Sequence, residues 1–292
     1  MEYCEYPIHA WSRHRHFLRR QCVRKARLSC LEARAGADTE SETPLRLLHD
    51  LRRRITLEQY LERIFDQTVR QNFYCGGDDE PDLTESTLSV ILHRRFDRDL
   101  ELMLCGAAAQ DHKLCFLREL EAKSCNLTAL VTRAGTVIDG FCAAFSRELS
   151  PLITSTPPLC RRDIASPLAV YINELCCYCA PLLALEKNGE LWIVENNCDD
   201  RVALLHKFYA VNSLGREPHL VRSFAYSRTD GVFKEAGIGL NVSETLRQIS
   251  EDGAAWAELI ELPLENLPFT PEHCPECGFN FFCNKYSKRG VK

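Results

Sequence analysis

Apolar positions change period along this chain, and each change marks an element. Leu57, Tyr60, Leu61, Ile64, Phe65 and Val69 recur at helical spacing, and Thr56-Leu-Glu-Gln59 ahead of them reads as a capping box. That stripe predicts an amphipathic helix facing a core. The pattern from about Ser86 to Leu149 remains mainly helical, with no evident chemistry. Polar or glycine-rich breaks fall at Ala35–Glu42, at Cys75–Asp82 and at Ser150–Pro158.

The texture shifts after Ser166 to short runs of strand length. Leu182–Glu186 and Leu191–Glu195 flank Lys187-Asn-Gly-Glu190, a hairpin turn with Asn-Gly at its centre. Arg201–Leu214 reads as a helix with Leu204, Leu205, Phe208 and Val211 on one side. Asp199-Asp200 stands where an N-cap belongs, and Gly215 where a C-terminal cap belongs. His219–Tyr226 is a third strand, and Ser243 opens another helix that Trp256–Leu262 continues. This order of hairpin, helix and strand implies an α/β core, expected as one domain over residues 1–292.

Composition narrows the class. The chain has 292 residues, 45% hydrophobic and 26% charged, which excludes a disordered or collagen-like protein. The balance of 36 basic and 41 acidic side chains, net −5, excludes a uniformly basic nucleic-acid coat protein. Sixteen cysteines raise the question of compartment. The first twenty residues show no apolar signal region, and no run of about eighteen apolar residues suggests a membrane span. The expectation is a cytoplasmic, non-membrane protein with reduced thiols. Cys105, Cys115, Cys125 and Cys142 read as small core residues, as do Cys176, Cys177 and Cys179, for which a metal role is the alternative.

Two clusters carry candidate chemistry. Arg13, Arg15, Arg19, Arg20, Arg24, Lys25 and Arg27 crowd one N-terminal stretch, either as a solvated helix face or as a phosphate-binding one. Near the C-terminus, Cys274-x2-Cys277-x5-Cys283 has metal-ligand spacing, with Gly278 permitting a tight turn. Three local thiols demand a fourth ligand from elsewhere, since zinc and iron–sulfur sites both take four. Spacing leaves zinc and iron–sulfur open. His273, the immediate neighbour of Cys274, is expected to point away.

A C-terminal Cys-x2-Cys-x5-Cys after an α/β core, with a lone upstream cysteine in a basic helix, resembles the iron–sulfur branch of the RecB-like PD-(D/E)XK nucleases. That branch includes the CRISPR-associated RecB-like nucleases and the C-terminal nuclease domain of AddB. Their upstream motif is similar to Cys-Pro-Arg-Lys, and Cys22-Val-Arg-Lys looks like it with Val23 in place of proline. The resemblance therefore nominates Cys22, with Cys30 in reserve, to join Cys274, Cys277 and Cys283 around a [4Fe–4S] cluster. It implies a PD-(D/E)XK-like core, cluster-binding segments at 1–34 and 263–292, and a helical insertion at 76–160. In the family, one strand carries a catalytic Asp, the next ends in Glu-x-Lys, and a helix with Gln-x3-Tyr follows. Cys179–Glu186, Ile193–Asn197 and Leu205–Tyr209 lie where those motifs belong, and Gly215-x2-Pro218 with the strand to Tyr226 completes the order.

The departures fall on the chemistry. Such a nuclease needs carboxylates to hold Mg²⁺ or Mn²⁺ and a lysine beside the attacking water. Glu195 survives, but the Asp position is Leu182, or Pro181 in a slipped register. The Lys position is Asn197, and the Gln position is Leu205. Lys207 could replace the lysine, and Glu174 or Glu186 could supply a second carboxylate. The resemblance thus implies a DNA-binding protein with a degenerate active site. Arg19, Arg20, Arg24 and Lys25 would be its DNA contacts, and a helicase, nuclease or integrase its partner. An active nuclease with a rearranged site and a zinc-stabilised interaction protein are the alternatives.

Overall fold

A computed structural model describes residues 10–32, 44–75, 83–106, 115–121, 125–162, 168–172, 175–275 and 277–286. The breaks expected at 35–42 and 76–82 lie outside them. Where one domain was expected, the chain divides into two compact units, each built from segments distant in sequence. One unit comprises Met1–Arg54, Ala169–Tyr178 and Ser243–Lys292; the other comprises Ile55–Leu168 and Cys179–Val242.

The unit containing both chain ends is mainly helical. It holds α1 (Arg13–Gln21), α2 (Val23–Arg27), a π-turn at Leu28–Glu32 and α3 (Pro44–Arg53). Strands β1 (Leu168–Ile172) and β2 (Leu175–Cys179) pair with each other. Trp11 adds a bridge to Cys177, donating to the Cys176 carbonyl (2.8 Å) and accepting from the Tyr178 amide (2.9 Å). Helix α8 (Val242–Ile260) supplies Trp256 to an apolar cluster with Leu18, Ala26 and Cys30. A second cluster joins Leu28, Leu48 and Leu51 to Leu264, Leu267, Phe279 and Phe282.

The other unit is a layered α/β body. Helices α4 (Leu57–Cys75), α5 (Glu85–Leu104) and α6 (Leu127–Thr154) precede a four-stranded sheet of β3 (Leu183–Lys187), β4 (Glu190–Asn196), β5 (Val221–Tyr226) and β6 (Phe233–Ala236). Helix α7 (Asp200–Leu214) connects β4 to β5, the parallel pair; both other pairings are antiparallel. The capping box forms as expected: Thr56 accepts from the Gln59 amide (3.4 Å), and Gln59 Oε1 accepts from the Thr56 amide (3.2 Å). Asn188 and Gly189 sit at φ 54° and 80°, so the hairpin turn has the predicted left-handed pair. Asp199 caps α7 by accepting from the Val202 amide (3.0 Å), and Gly215 ends it at φ 63°.

Residues alternate across the sheet, and this sets what each face meets. Leu183, Leu185, Val194, Phe224 and Tyr226 join one core with the buried stripes of α4, α5 and α6. Phe65 anchors it edge-on to Phe141 (5.6 Å) and Phe145 (6.2 Å) and stacked on Tyr226 (6.5 Å). Burying a side chain of this size contributes about 1.5–3 kcal/mol, more than helix propensities differ per residue. The helices expected as an insertion at 76–160 are therefore half of this core.

Several local expectations are corrected. Helix α6 runs through Pro151 to Thr154, where a loop was expected from Ser150. Pro151 removes the helical donor to the Arg147 carbonyl, and the helix ends within one further turn. Val211 is exposed, because α7 buries Val202, Ala203, Leu204, Leu205, His206 and Ala210 instead. Cys105 and Cys125 are exposed beside helix ends, whereas Cys115, Cys142, Cys176, Cys177 and Cys179 are buried. Among the described residues, no disulfide forms. Helix α6 is long and apolar enough to cross a membrane by length and composition. Its buried residues, Ile138, Phe141 and Phe145 among them, belong to the unit's core, as in the core helix of a globular domain.

Two outcomes follow. A Cβ on Gly231, at φ +70°, would lie 2.6 Å from the Ala144 carbonyl oxygen. Gly231→Ala should therefore destabilise by more than about 1 kcal/mol in urea unfolding. Burial pushes the Cys142 and Cys177 thiols up to about 12. Iodoacetamide should then label Cys105 and Cys125 in native protein but reach Cys142 and Cys177 only after denaturation, as read by peptide mass.

Candidate functional site

The first site is a recess in the unit that contains both chain ends. Cys22 is the residue between α1 and α2; its extended backbone (φ −166°, ψ 122°) breaks the helix and sets the side chain apart from both. Cys274 follows the short turn Pro271–His273, and its carbonyl accepts from the Cys277 amide (3.2 Å). Cys283 lies on α9 (Asn280–Tyr286), its amide bonded to the Phe279 carbonyl (2.8 Å). All four cysteines line one tight recess of about 20 Å³. Burial raises the Cys274 pKa first, and the neighbouring Cys22, Cys277 and Cys283 raise it further. Like groups this close resist shared ionisation, and a bound cation reverses that penalty. Cys30, the reserve ligand, packs instead against Leu18, Ala26 and Trp256. His273 borders the recess but is exposed.

The basic residues expected to face DNA divide in their surroundings. The Arg24 guanidinium donates to the carbonyls of Leu267 (2.9 Å) and Glu265 (2.7 Å) and lies 4.5 Å from the Phe269 ring centroid. Its Nη1 stands 3.9 Å from Cys283 Sγ. Arg19 pairs with Asp252 (2.8 Å), and Lys25 donates to Gln21 (3.0 Å). Arg20 is exposed. A basic cleft of about 640 Å³ lies elsewhere, in the sheet-containing unit, lined by Arg94, Arg95 and Arg98 with Thr68, Gln71 and Asn72. The spacing of these arginines at i, i+1 and i+4 on α5 was the signal for it, within a stretch read as featureless.

The second site is built on Glu195, near the end of β4. Ile193 pairs with Ser223 and Glu195 with Ala225, so Glu195 and Ser223 share the sheet face that α7 covers. His206 of α7 reaches both. Its Nε2 lies 2.9 Å from Glu195 Oε2, and its Nδ1 lies 3.0 Å from Ser223 Oγ. His206 is fully buried, and the Glu195 side chain is 12% exposed. Cys179, 5% exposed, completes a group whose sulfur, carboxylate and imidazole ligand atoms all lie within 4.8 Å of one another. This Cys/Glu/His set can hold a metal ion.

The remaining expected catalytic groups do not join Glu195. The Leu182 amide donates to the Val194 carbonyl (2.6 Å), and its buried apolar side chain joins the helix-packed core. Glu186 pairs with Arg162 and Arg216, away from that strand end. Lys207 acts electrostatically on Glu235, which Arg222 already binds. Asn197 turns the chain at φ 52°. Leu205 is buried, and Glu174 lies outside the described residues. Asn196 points to the opposite face and donates to both oxygens of Asp66 (3.0 Å each), which Arg228 also grips. The sequence did offer a signal for His206: a lone histidine inside the apolar run Val202–Ala210, one helical crossover from a strand-end carboxylate.

No family model, curated protein or solved structure matches the chain.

Ser223→Ala should leave a buried imidazole nitrogen without its hydroxyl, at a cost of about 1–3 kcal/mol. Chemical denaturation measures the loss, and the imidazole ¹⁵N shifts of His206 should move with it.

Proposed function

We propose that this protein is a DNA-binding or scaffolding component of the RecB-like iron–sulfur nuclease type, with its phosphodiesterase site degenerate. The observation that carries this reading is the convergence of Cys22, Cys274, Cys277 and Cys283 on one recess, from helices and turns at opposite ends of the sequence. Those four thiolates would hold a [4Fe–4S] cluster whose work is structural. It would tie the α1–α2 break to the C-terminal turn and α9. Arg24, bonded to the backbone of the same C-terminal segment, braces that contact.

The sheet supports the degenerate half of the reading. A hairpin, a crossover helix and a parallel strand form in the order the resemblance implies, and that resemblance matches Glu195 to the family's glutamate. Mg²⁺ takes oxygen ligands in octahedral geometry. Glu195 is flanked instead by a thiol and an imidazole. For DNA, the cleft of Arg94, Arg95 and Arg98 offers clustered guanidinium groups suited to a phosphate backbone.

Anaerobic purification followed by an absorbance spectrum and metal analysis tests the cluster. Brown protein with about four irons per chain is expected. A colourless protein with one zinc and no iron would favour the zinc-stabilised interaction module. Cys22→Ser and Cys277→Ser should each yield colourless or insoluble protein, and Cys30→Ser should keep its colour. A coloured Cys22→Ser would overturn the choice of fourth ligand. DNA binding is read by gel shift across a salt series. Arg94→Ala with Arg98→Ala should weaken binding to all sequences alike and reduce the slope of log affinity against log salt by about 1–2. No shift at low salt would overturn the DNA claim. Cleavage in Mn²⁺ that vanishes in Glu195→Gln would overturn the degenerate one.

A further inference from the structure

We infer that Cys179, Glu195 and His206 form a second metal site, selective for a borderline divalent cation of the zinc class and separate from the four-cysteine recess. Three independent elements bring the donors together: the end of β2, the end of β4 and the middle of α7. Tetrahedral zinc ligands stand roughly 3.5 Å apart, given bond lengths of about 2.0–2.3 Å. Donor atoms already within 4.8 Å of one another need only small side-chain rotations to reach that spacing.

The donor chemistry selects the cation. Thiolate and imidazole favour zinc and its neighbours over Mg²⁺ or Ca²⁺, which take oxygen. Glu195 adds a single carboxylate, so Zn²⁺ with one thiolate and one carboxylate gives a neutral centre. Neutrality suits a site where His206 is fully buried and Cys179 nearly so. Binding requires that the Cys179 thiol lose its proton to solvent and that Nε2 present its lone pair.

Ser223 makes the histidine a prepared ligand. Its Oγ lies 3.0 Å from Nδ1; once a metal displaces any Nε2 proton from the contact with Glu195, Nδ1 carries the ring proton and Ser223 accepts it. Metal-bound histidines are oriented by such partners. Three protein ligands leave one tetrahedral position, the arrangement in which zinc carries a water or a small anion. The nuclease-like glutamate would thus serve a different metal from the one its position implies.

The test uses the full chain as purified, with its four-cysteine site loaded. Zn²⁺ is added, and bound zinc is counted alongside iron and thermal midpoint. Wild type should bind one zinc beyond the content of the recess and gain thermal stability. Cys179→Ala and Glu195→Gln should each lower that affinity at least about tenfold, and Ser223→Ala about tenfold. Glu195→Gln is nearly isosteric and keeps the fold readable if Cys179→Ala is unstable. Co²⁺ should give a thiolate charge-transfer band that Cys179→Ala diminishes. Equal zinc uptake by wild type and both ligand variants would overturn the site. So would a stabilisation by Mg²⁺ that needs Glu195 but not Cys179, because that pattern describes a hard-cation carboxylate site. Iron content reports the recess separately, so loss of either reading leaves the other standing.

Discussion

A carboxylate nearly buried between a sheet and a helix must be answered by a partner, and at Glu195 that demand organises the sheet-containing unit. The parallel pairing of β4 and β5 puts Ser223 two residues back on the same face. Helix α7, which the parallel connection requires, then delivers His206 between them. Breaking one side of such a pair leaves a buried charge or an unsatisfied nitrogen, which costs more than the intact pair contributes. The geometry of strand pairing and the chemistry at the strand end are thus one constraint. An apolar residue at position 195 would remove it, but would also remove the polar group that fixes how α7 rotates over the sheet.

Much of the fold was legible because local rules and tertiary packing agreed. The Thr56–Gln59 box, the Asn188-Gly189 turn, the Asp199 cap and the Gly215 stop each state a backbone conformation in a few residues, and each forms. Expectations failed where context outweighed pattern. Val211 fits an apolar stripe on α7, yet the covered face is centred on Val202, Leu205 and His206, because the sheet determines which side is buried. Pro151 reads as a break, yet packing of Leu152 and Ile153 carries the helix past it. The division into two units was illegible for a similar reason. Strands β1 and β2 interrupt the sheet-containing unit in sequence, and no composition change marks that excursion.

The site residues show the same limit from another direction. Cysteine spacing announces a metal site when its ligands are neighbours in sequence, as Cys274, Cys277 and Cys283 are. Cys22 entered only through resemblance, and the structure supplies what spacing could not: the helix break that turns it toward the other three. The N-terminal arginines show the converse. Their crowding suggested a phosphate-binding face, but guanidinium groups also serve as multiple donors to backbone carbonyls, and Arg24 is used that way. Arg94, Arg95 and Arg98 are fewer and less conspicuous, yet they line an open cleft, where Arg98 also pairs with Asp99 (2.8 Å) and Arg95 donates to Gln67. Charge density along a sequence reports how many cations are present, not which of them remain available to a ligand.

The cysteines sort by what surrounds each sulfur. In an apolar setting such as that of Cys142, burial suppresses the thiolate and the residue acts as a small hydrophobe. Around the recess, burial and then the neighbouring Cys22, Cys277 and Cys283 raise the Cys274 pKa, and an arginine lies near Cys283. Cys179 combines the two situations: it is as buried as a core residue, yet it faces a carboxylate and an imidazole. A nuclease site needs hard oxygen donors around a solvated ion. The sulfur and nitrogen donors beside Glu195 suit a softer ion than that. The fold fixes where donors converge, while side-chain identity decides what they can bind.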